Sequence, residues 1–220
     1  MNFAVDRVFQ SSDWMVLMFS LVFALLAIVK LFFSKRLSSL LGCFFSKNYF
    51  LDYASELQEK FSLFHFLLFL VQNLIGALFV YVFVLKFGGS SKELGFGLYA
   101  KLFSGLTLYL LLQVILSKLV ATLFRADELF DGVFVLKFSY LKVVSIYSFP
   151  VLLLWVYSYP ESRVMSLIAV VYVLTLLVVR WILIIVNKIT LFKINSFYFI
   201  LYICTLEILP LVLLLKLMVQ

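Results

Sequence analysis

Near the centre of the apolar run FYFILYICTLEILPLVLLLK stands Glu207, three residues before Pro210. A carboxylate there is the first residue in this chain that could do chemistry. Ionisable and amide side chains in hydrocarbon cost a few kcal/mol each, so they face protein or water and often mark a ligand, ion or proton path. Other apolar runs carry polar groups of the same kind: His65, Gln72 and Asn73 in one, Lys101, Gln113 and Lys118 in a second, Arg180 in a third. The spacings of seven and eight from His65 to Gln72 and Asn73 place all three on one helical face. At about 1.5 Å of rise per residue, Gln72 and Asn73 lie roughly 17 Å from the end of their run, Glu207 about 20 Å and Arg180 roughly 9 Å. Glu207, Gln72 and Asn73 are therefore expected to share a layer, with Arg180 below them as a fourth candidate.

Two roles fit Glu207. It titrates or binds a cation or a polar ligand group, with Gln72 and Asn73 completing the site. Alternatively it is a neutral or paired carboxyl that bonds across helices, or caps the carbonyl left free by Pro210, which has no N–H. His65 is the sole histidine and stands near the start of its run, which favours a packed or interface-facing ring over a metal ligand. Gly97, Ala100, Ser104 and Gly105 form a small-residue row around Lys101 that reads as a close helix-packing face, Lys101 itself snorkelling to the surface. Asp127, Glu128 and Asp131 in RADELFDGVFVLKF lack the spacing of a calcium loop and read as a solvated loop with an interfacial apolar stretch.

The remaining chemistry is sparse. Cys43 and Cys204 lie far apart with no CxxC, and no HExxH, GxSxG, GxGxxG or glycine-rich loop ending in Lys is present. Neither a cofactor, a metal nor a reaction class is indicated, and the expectation is a non-enzymatic protein.

The elements that must hold these residues follow from composition. Hydrophobic residues make up 65% of 220 and charged ones 13%, against roughly half and a quarter in soluble domains. Lipid is the solvent such a chain requires. Six runs are long enough to cross about 30 Å of hydrocarbon: 14–33, 61–85, 98–119, 143–159, 164–186 and 194–215. The fold expected is an all-α polytopic bundle forming one membrane domain; the fourth span is the shortest, can be extended by its flank 138–142, and offers a kink at Pro150. The first run lacks a basic flank and a cleavage site, and reads as a retained span.

The net charge of +7 arises from single Lys and Arg residues at the ends of apolar runs, a pattern of membrane anchors and not of nucleic-acid binding. Lys35, Arg36, Lys47, Lys60, Arg125, Lys137, Lys142, Lys188 and Lys193 fall on one side; Arg7, Lys86, Lys92, Arg163 and Lys216 fall on the other. The excess places the first side in the cytoplasm and both termini in the periplasm. RLSSLLGCFFSK reads as a short cytoplasmic interfacial helix, with Arg36 and Lys47 reaching lipid phosphates.

The pattern LYICTLEILPLVLLLK, with RADELFDG upstream and the YSFP span between, resembles an uncharacterised family of integral membrane proteins of the Bacteroidota, a domain of unknown function. The resemblance implies a bacterial inner-membrane location and brings no activity or site. At the fold level the chain is also similar to Yip1-type helical bundles. The function expected is an accessory or scaffold subunit of a cell-envelope assembly, in contact with lipid and with other membrane subunits or copies of itself. The alternative is a small transporter or lipid-carrier flippase using the layer around Glu207.

Overall fold

A computed structural model describes residues 13–42, 63–87, 95–123, 127–158 and 162–191. These residues are helical apart from short junctions: α1 (Asp13–Phe32), α2 (Ser34–Gly42), α3 (Leu63–Phe87), α4 (Phe96–Leu123), α5 (Asp127–Leu153) and α6 (Arg163–Leu191). A π-helical turn, Leu154–Ser158, extends α5. Five of these helices are long and apolar enough to cross a membrane: Trp14–Phe32, Leu63–Phe87, Phe96–Leu119, Lys137–Ser158 and Arg163–Ile184. The sixth predicted span, 194–215, lies outside the described residues, as do Glu207, Pro210 and both cysteines.

α3 and α5 form the centre of the bundle. More than half of the membrane-length part of each is buried, against about a fifth for α1, α4 and α6. α3 packs against α1, α4 and α5, and α5 also against α6. Directions follow from paired contacts. His65 meets Lys142 and Phe79 meets Trp155, so α3 and α5 run parallel. Trp14 meets Tyr81 and Phe33 meets Phe64, so α1 runs against α3. Tyr81 meets Tyr99, and Trp155 meets Ser166, so α4 and α6 also run against the central pair.

Each end of the bundle has its own core. At one end Trp14 lies edge-on to Tyr81 and Phe96, with Tyr99 beside it. At the other, Val29, Phe64, Leu68, Tyr140, Val143 and Ile184 close around Leu40 of α2, whose side chain is fully buried. α2 follows α1 across the single residue Phe33, whose N–H still donates to the Val29 carbonyl while its own carbonyl accepts from Leu37. These two bonds carry the helical pattern into and out of the break. Leu40 and Leu37 face the bundle while Lys35 stays exposed, the amphipathic division an interfacial helix needs.

The structure changes the sequence reading of α5 in two ways. The stretch from Asp127, expected as a solvated loop, is the beginning of the helix. The membrane-length segment also starts at Lys137, so it takes in the whole flank 138–142 and one residue more than that extension. Hydropathy alone puts the boundary at 143 because Lys137, Ser139 and Lys142 are polar, yet all three are buried. Pro150 stands inside the helix with its ring exposed. Its missing N–H withdraws the usual donor from the Ile146 carbonyl, and the π turn begins four residues later.

That π turn carries Trp155, fully buried against Phe79. The indole Nε1 donates to Ser166 Oγ at 2.9 Å, and Ser166 Oγ donates to the Ser162 carbonyl at 3.1 Å. Ser162 caps α6, its hydroxyl accepting from the Met165 N–H at 3.2 Å. The junction between α5 and α6 is thus tied by one continuous chain of hydrogen bonds.

Candidate functional site

The seam between α3 and α5 is the polar interior of the bundle. On α3, His65 and Gln72 are two turns apart on one face, which continues to Phe79. On α5, Lys142, Ser145 and Ser148 follow at intervals of three, ending near Trp155. Because the helices run parallel, Gln72 stands between the His65–Lys142 pair and the Phe79–Trp155 contact. Ser145 and Ser148 turn their hydroxyls back onto the Leu141 and Ser145 carbonyls, at 3.0 and 2.8 Å. They satisfy themselves within their own helix.

Gln72 does not. It is only 3% exposed, and both its amide nitrogen and its oxygen lack a hydrogen-bond partner among the described residues. Leaving a buried amide unmatched costs roughly 1–3 kcal/mol for each group. Asn73, one residue on, points a different way, because successive helical residues are rotated by about 100°. Its Nδ2 donates to the Phe69 carbonyl at 2.9 Å, and its Oδ1 lies 3.4 Å from Thr107 Oγ1 of α4. The Thr107 proton serves the nearer Phe103 carbonyl, at 2.8 Å. Gln72 and Asn73 therefore share a depth but face different helices.

Arg180 does not join them. Its guanidinium donates to the Lys137 carbonyl at 3.3 Å, at the end of the bundle where α2 packs. Lys137 is five residues below Lys142, and Gln72 seven above His65, so helical rise separates Arg180's contact from Gln72 by roughly 18 Å. The predicted four-residue site thus resolves into three places: Gln72 on the α3–α5 seam, Asn73 against α4, and Arg180 at the basic end. Glu207 lies outside the described residues. Gln113 of the second run satisfies itself, donating to Tyr109 Oη at 2.9 Å.

The basic end holds what sequence reasoning missed. Lys137, Lys142 and Arg180 are 6%, 7% and 7% exposed. Lys142 Nζ lies 3.2 Å from His65 Nδ1. An ammonium only donates, so this contact places the ring's proton on Nε2. His65 packs edge-on to Phe64. Among the described residues, no group of three or more His, Cys, Asp or Glu could hold a metal ion. Lys142 was legible as part of a flank that could extend its run, but not as a buried residue; the signal for its burial was the Lys142, Ser145, Ser148 stripe at helical spacing.

The small-residue row of α4 is not covered by any described helix. Gly97, Ala100 and Ser104 face outward, and a Cβ added at Gly97 or Gly105 would meet nothing within 4 Å. No described helix packs on that face. The close approach of α3 and α4 occurs instead at Gly76, where an added Cβ would stand 3.1 Å from Leu106 Cδ2.

Parallel and antiparallel apolar helices of bilayer length, with buried polar groups between them, define a multi-pass helical membrane protein. A family model described as a domain of unknown function, DUF4271, matches residues 15–218, and the chain belongs to that family. No curated protein and no solved structure matches the chain.

Proposed function

We propose that this chain is a non-enzymatic accessory or scaffold subunit of a cell-envelope assembly in the bacterial inner membrane. The observation that carries the reading is the outward row of Gly97, Ala100 and Ser104 on α4. Large side chains such as Leu108, Leu111 and Ile115 further along α4 suit acyl chains. Small residues leave a trough in which another helix backbone approaches closely, and van der Waals packing of that kind drives association in bilayers. The occupant is a transmembrane helix of a partner subunit.

Basic residues support the orientation. Lys30, Lys35, Arg36, Lys118, Lys137, Lys142 and Arg180 gather toward the end where α2 packs, against Lys86, Lys101 and Arg163 toward the other. The positive-inside rule makes the α2 end cytoplasmic.

The test is a photo-cross-linking residue placed at Ala100 or Ser104 in native membranes, with Leu174 of α6 as the control position. A protein adduct of defined mass from α4 and none from Leu174 is expected. Adducts with lipid alone, or a cross-link only within the chain, would overturn the partner reading.

A second reading has its own observation. The unmatched amide of Gln72, buried at mid-span, is what a transporter or lipid-carrier flippase would use to hold a polar group. In that reading Glu207, whose position in its run corresponds to the same depth, completes the site. Glu207→Gln, which keeps hydrogen bonding and removes titration, separates the two readings: loss of function supports transport, and full complementation supports the accessory role.

A further inference from the structure

We propose that Gln72 and Ser148 form a two-state polar latch at the middle of the α3–α5 seam, open in this structure and closed when α5 bends near Pro150. Two contacts fix the register of these parallel helices, His65 with Lys142 and Phe79 with Trp155. Gln72 lies seven residues from both His65 and Phe79; Ser148 lies six above Lys142 and seven below Trp155. Helical rise therefore brings Gln72 and Ser148 within roughly 1.5 Å of one depth by either count. Ser148 also lies on the α5 face that leads, seven residues on, to Trp155 and its contact with α3. Both side chains are buried. Ser148 Oγ donates to the Ser145 carbonyl at 2.8 Å within its own helix, while the Gln72 amide nitrogen and oxygen have no partner among the described residues. A buried amide in that state is costly, and a hydroxyl at its depth relieves it by donating to the amide oxygen or accepting from the nitrogen.

Ser148 can change partners at little cost. The Ser145 carbonyl remains the acceptor of the Phe149 N–H in the helical ladder, so turning the hydroxyl toward α3 leaves no backbone group bare. α5 can deliver it because its ladder is interrupted just above. Pro150 supplies no N–H to the Ile146 carbonyl, and the π turn Leu154–Ser158 follows. Prolines and π turns are the places where helices kink. The helix is anchored on both sides of that point: below it Lys142 meets His65 and the Lys137 carbonyl accepts from Arg180, and above it Trp155 packs on Phe79 and donates to Ser166. The interhelical bond beside Pro150, from Tyr172 Oη to the Tyr147 carbonyl, is long at 3.5 Å. A bend confined to the stretch between the anchors moves Ser148 against α3 and leaves both anchors intact.

The experiment is NMR relaxation dispersion on the full chain in nanodiscs, with isotope-labelled glutamine side chains. The Gln72 amide signal is identified by its loss in Gln72→Leu. Exchange between two states is expected at that amide, lost in Ser148→Ala and restored in Ser148→Thr, which returns the hydroxyl. No exchange in the unaltered chain, or exchange undiminished in Ser148→Ala, overturns the latch. Exchange that survives Ser148→Ala and is lost in Glu207→Leu also overturns it, and gives the Gln72 amide to the last apolar run instead. If Ser148→Ala does not fold, a through-space contact between the Gln72 amide and Ser148 hydroxyl protons in the unaltered chain decides. Its presence supports the latch, and its absence overturns it.

Discussion

Replacing Trp155 tests whether the α5–α6 junction is held as described. The indole is fully buried in the π turn, packs on Phe79, and donates to Ser166 Oγ at 2.9 Å. Trp155→Phe keeps an aromatic ring against Phe79 but removes the donor and part of the volume. At about 24 cal/mol per Å³ of residual cavity, the lost volume costs on the order of 1 kcal/mol. An interhelical hydrogen bond within a membrane protein adds roughly 0.6 to 1.7 kcal/mol. The variant is therefore expected to lose about 2 kcal/mol. Ser166→Ala removes the acceptor and is expected to lose about 1 kcal/mol, close to the value of the bond alone. Combined, the two changes remove the bond only once, so a double-mutant cycle isolates a coupling of about 1 kcal/mol. Unfolding equilibria in bicelles supply the four stabilities. Strict additivity, with coupling below about 0.3 kcal/mol, would refute the hydrogen bond as a tie between α5 and α6.

Other expectations follow from the same packing. Leu40→Ala should destabilise by roughly 2–5 kcal/mol, as for other buried leucines, with Lys35→Gln within about 0.5 kcal/mol of the unaltered chain; chemical unfolding of both checks this. Gly76→Leu should force α3 and α4 apart and cost roughly 1–3 kcal/mol through overpacking, whereas Gly97→Leu should fold normally, as size-exclusion profiles and unfolding midpoints will show. A reporter active only in the cytoplasm should be active when fused after residues 130 or 190 and silent after Gln220; activity at Gln220 would reverse the orientation. Glu207→Leu should lower membrane abundance if its carboxyl bonds across helices or to the Pro210 turn, losing on the order of 1 kcal/mol.

Much of the fold was legible because membrane helices announce themselves by length and apolarity alone. The positions of α1, α3, α4 and α6 within the chain, and the amphipathic α2, needed no tertiary information. What was not legible depended on which face meets protein. Lys137 and Lys142 read as flanking anchors because hydropathy counts a lysine against a span wherever it points, while both are buried. The row of Gly97, Ala100 and Ser104 carries the sequence pattern of helix packing, yet Gly76 makes the close approach, since glycines alone do not say which neighbour is present. Gln72 and Asn73 shared a predicted layer because they are adjacent, and the rotation between successive helical residues sends them to different helices. Arg180 was expected below the polar layer; its contact with Lys137 places it there and ties it to a helix that the sequence did not specify.

The central claim is that this chain works inside a larger membrane assembly. Extraction of native membranes with a styrene–maleic acid polymer, followed by mass measurement of the released particle, tests it without detergent. The account predicts a particle whose protein mass exceeds the 25.5 kDa of this chain by a stoichiometric partner, and whose excess disappears in Ala100→Trp, which fills the trough on α4. A particle holding a single 25.5 kDa chain, unchanged by Ala100→Trp, would contradict it.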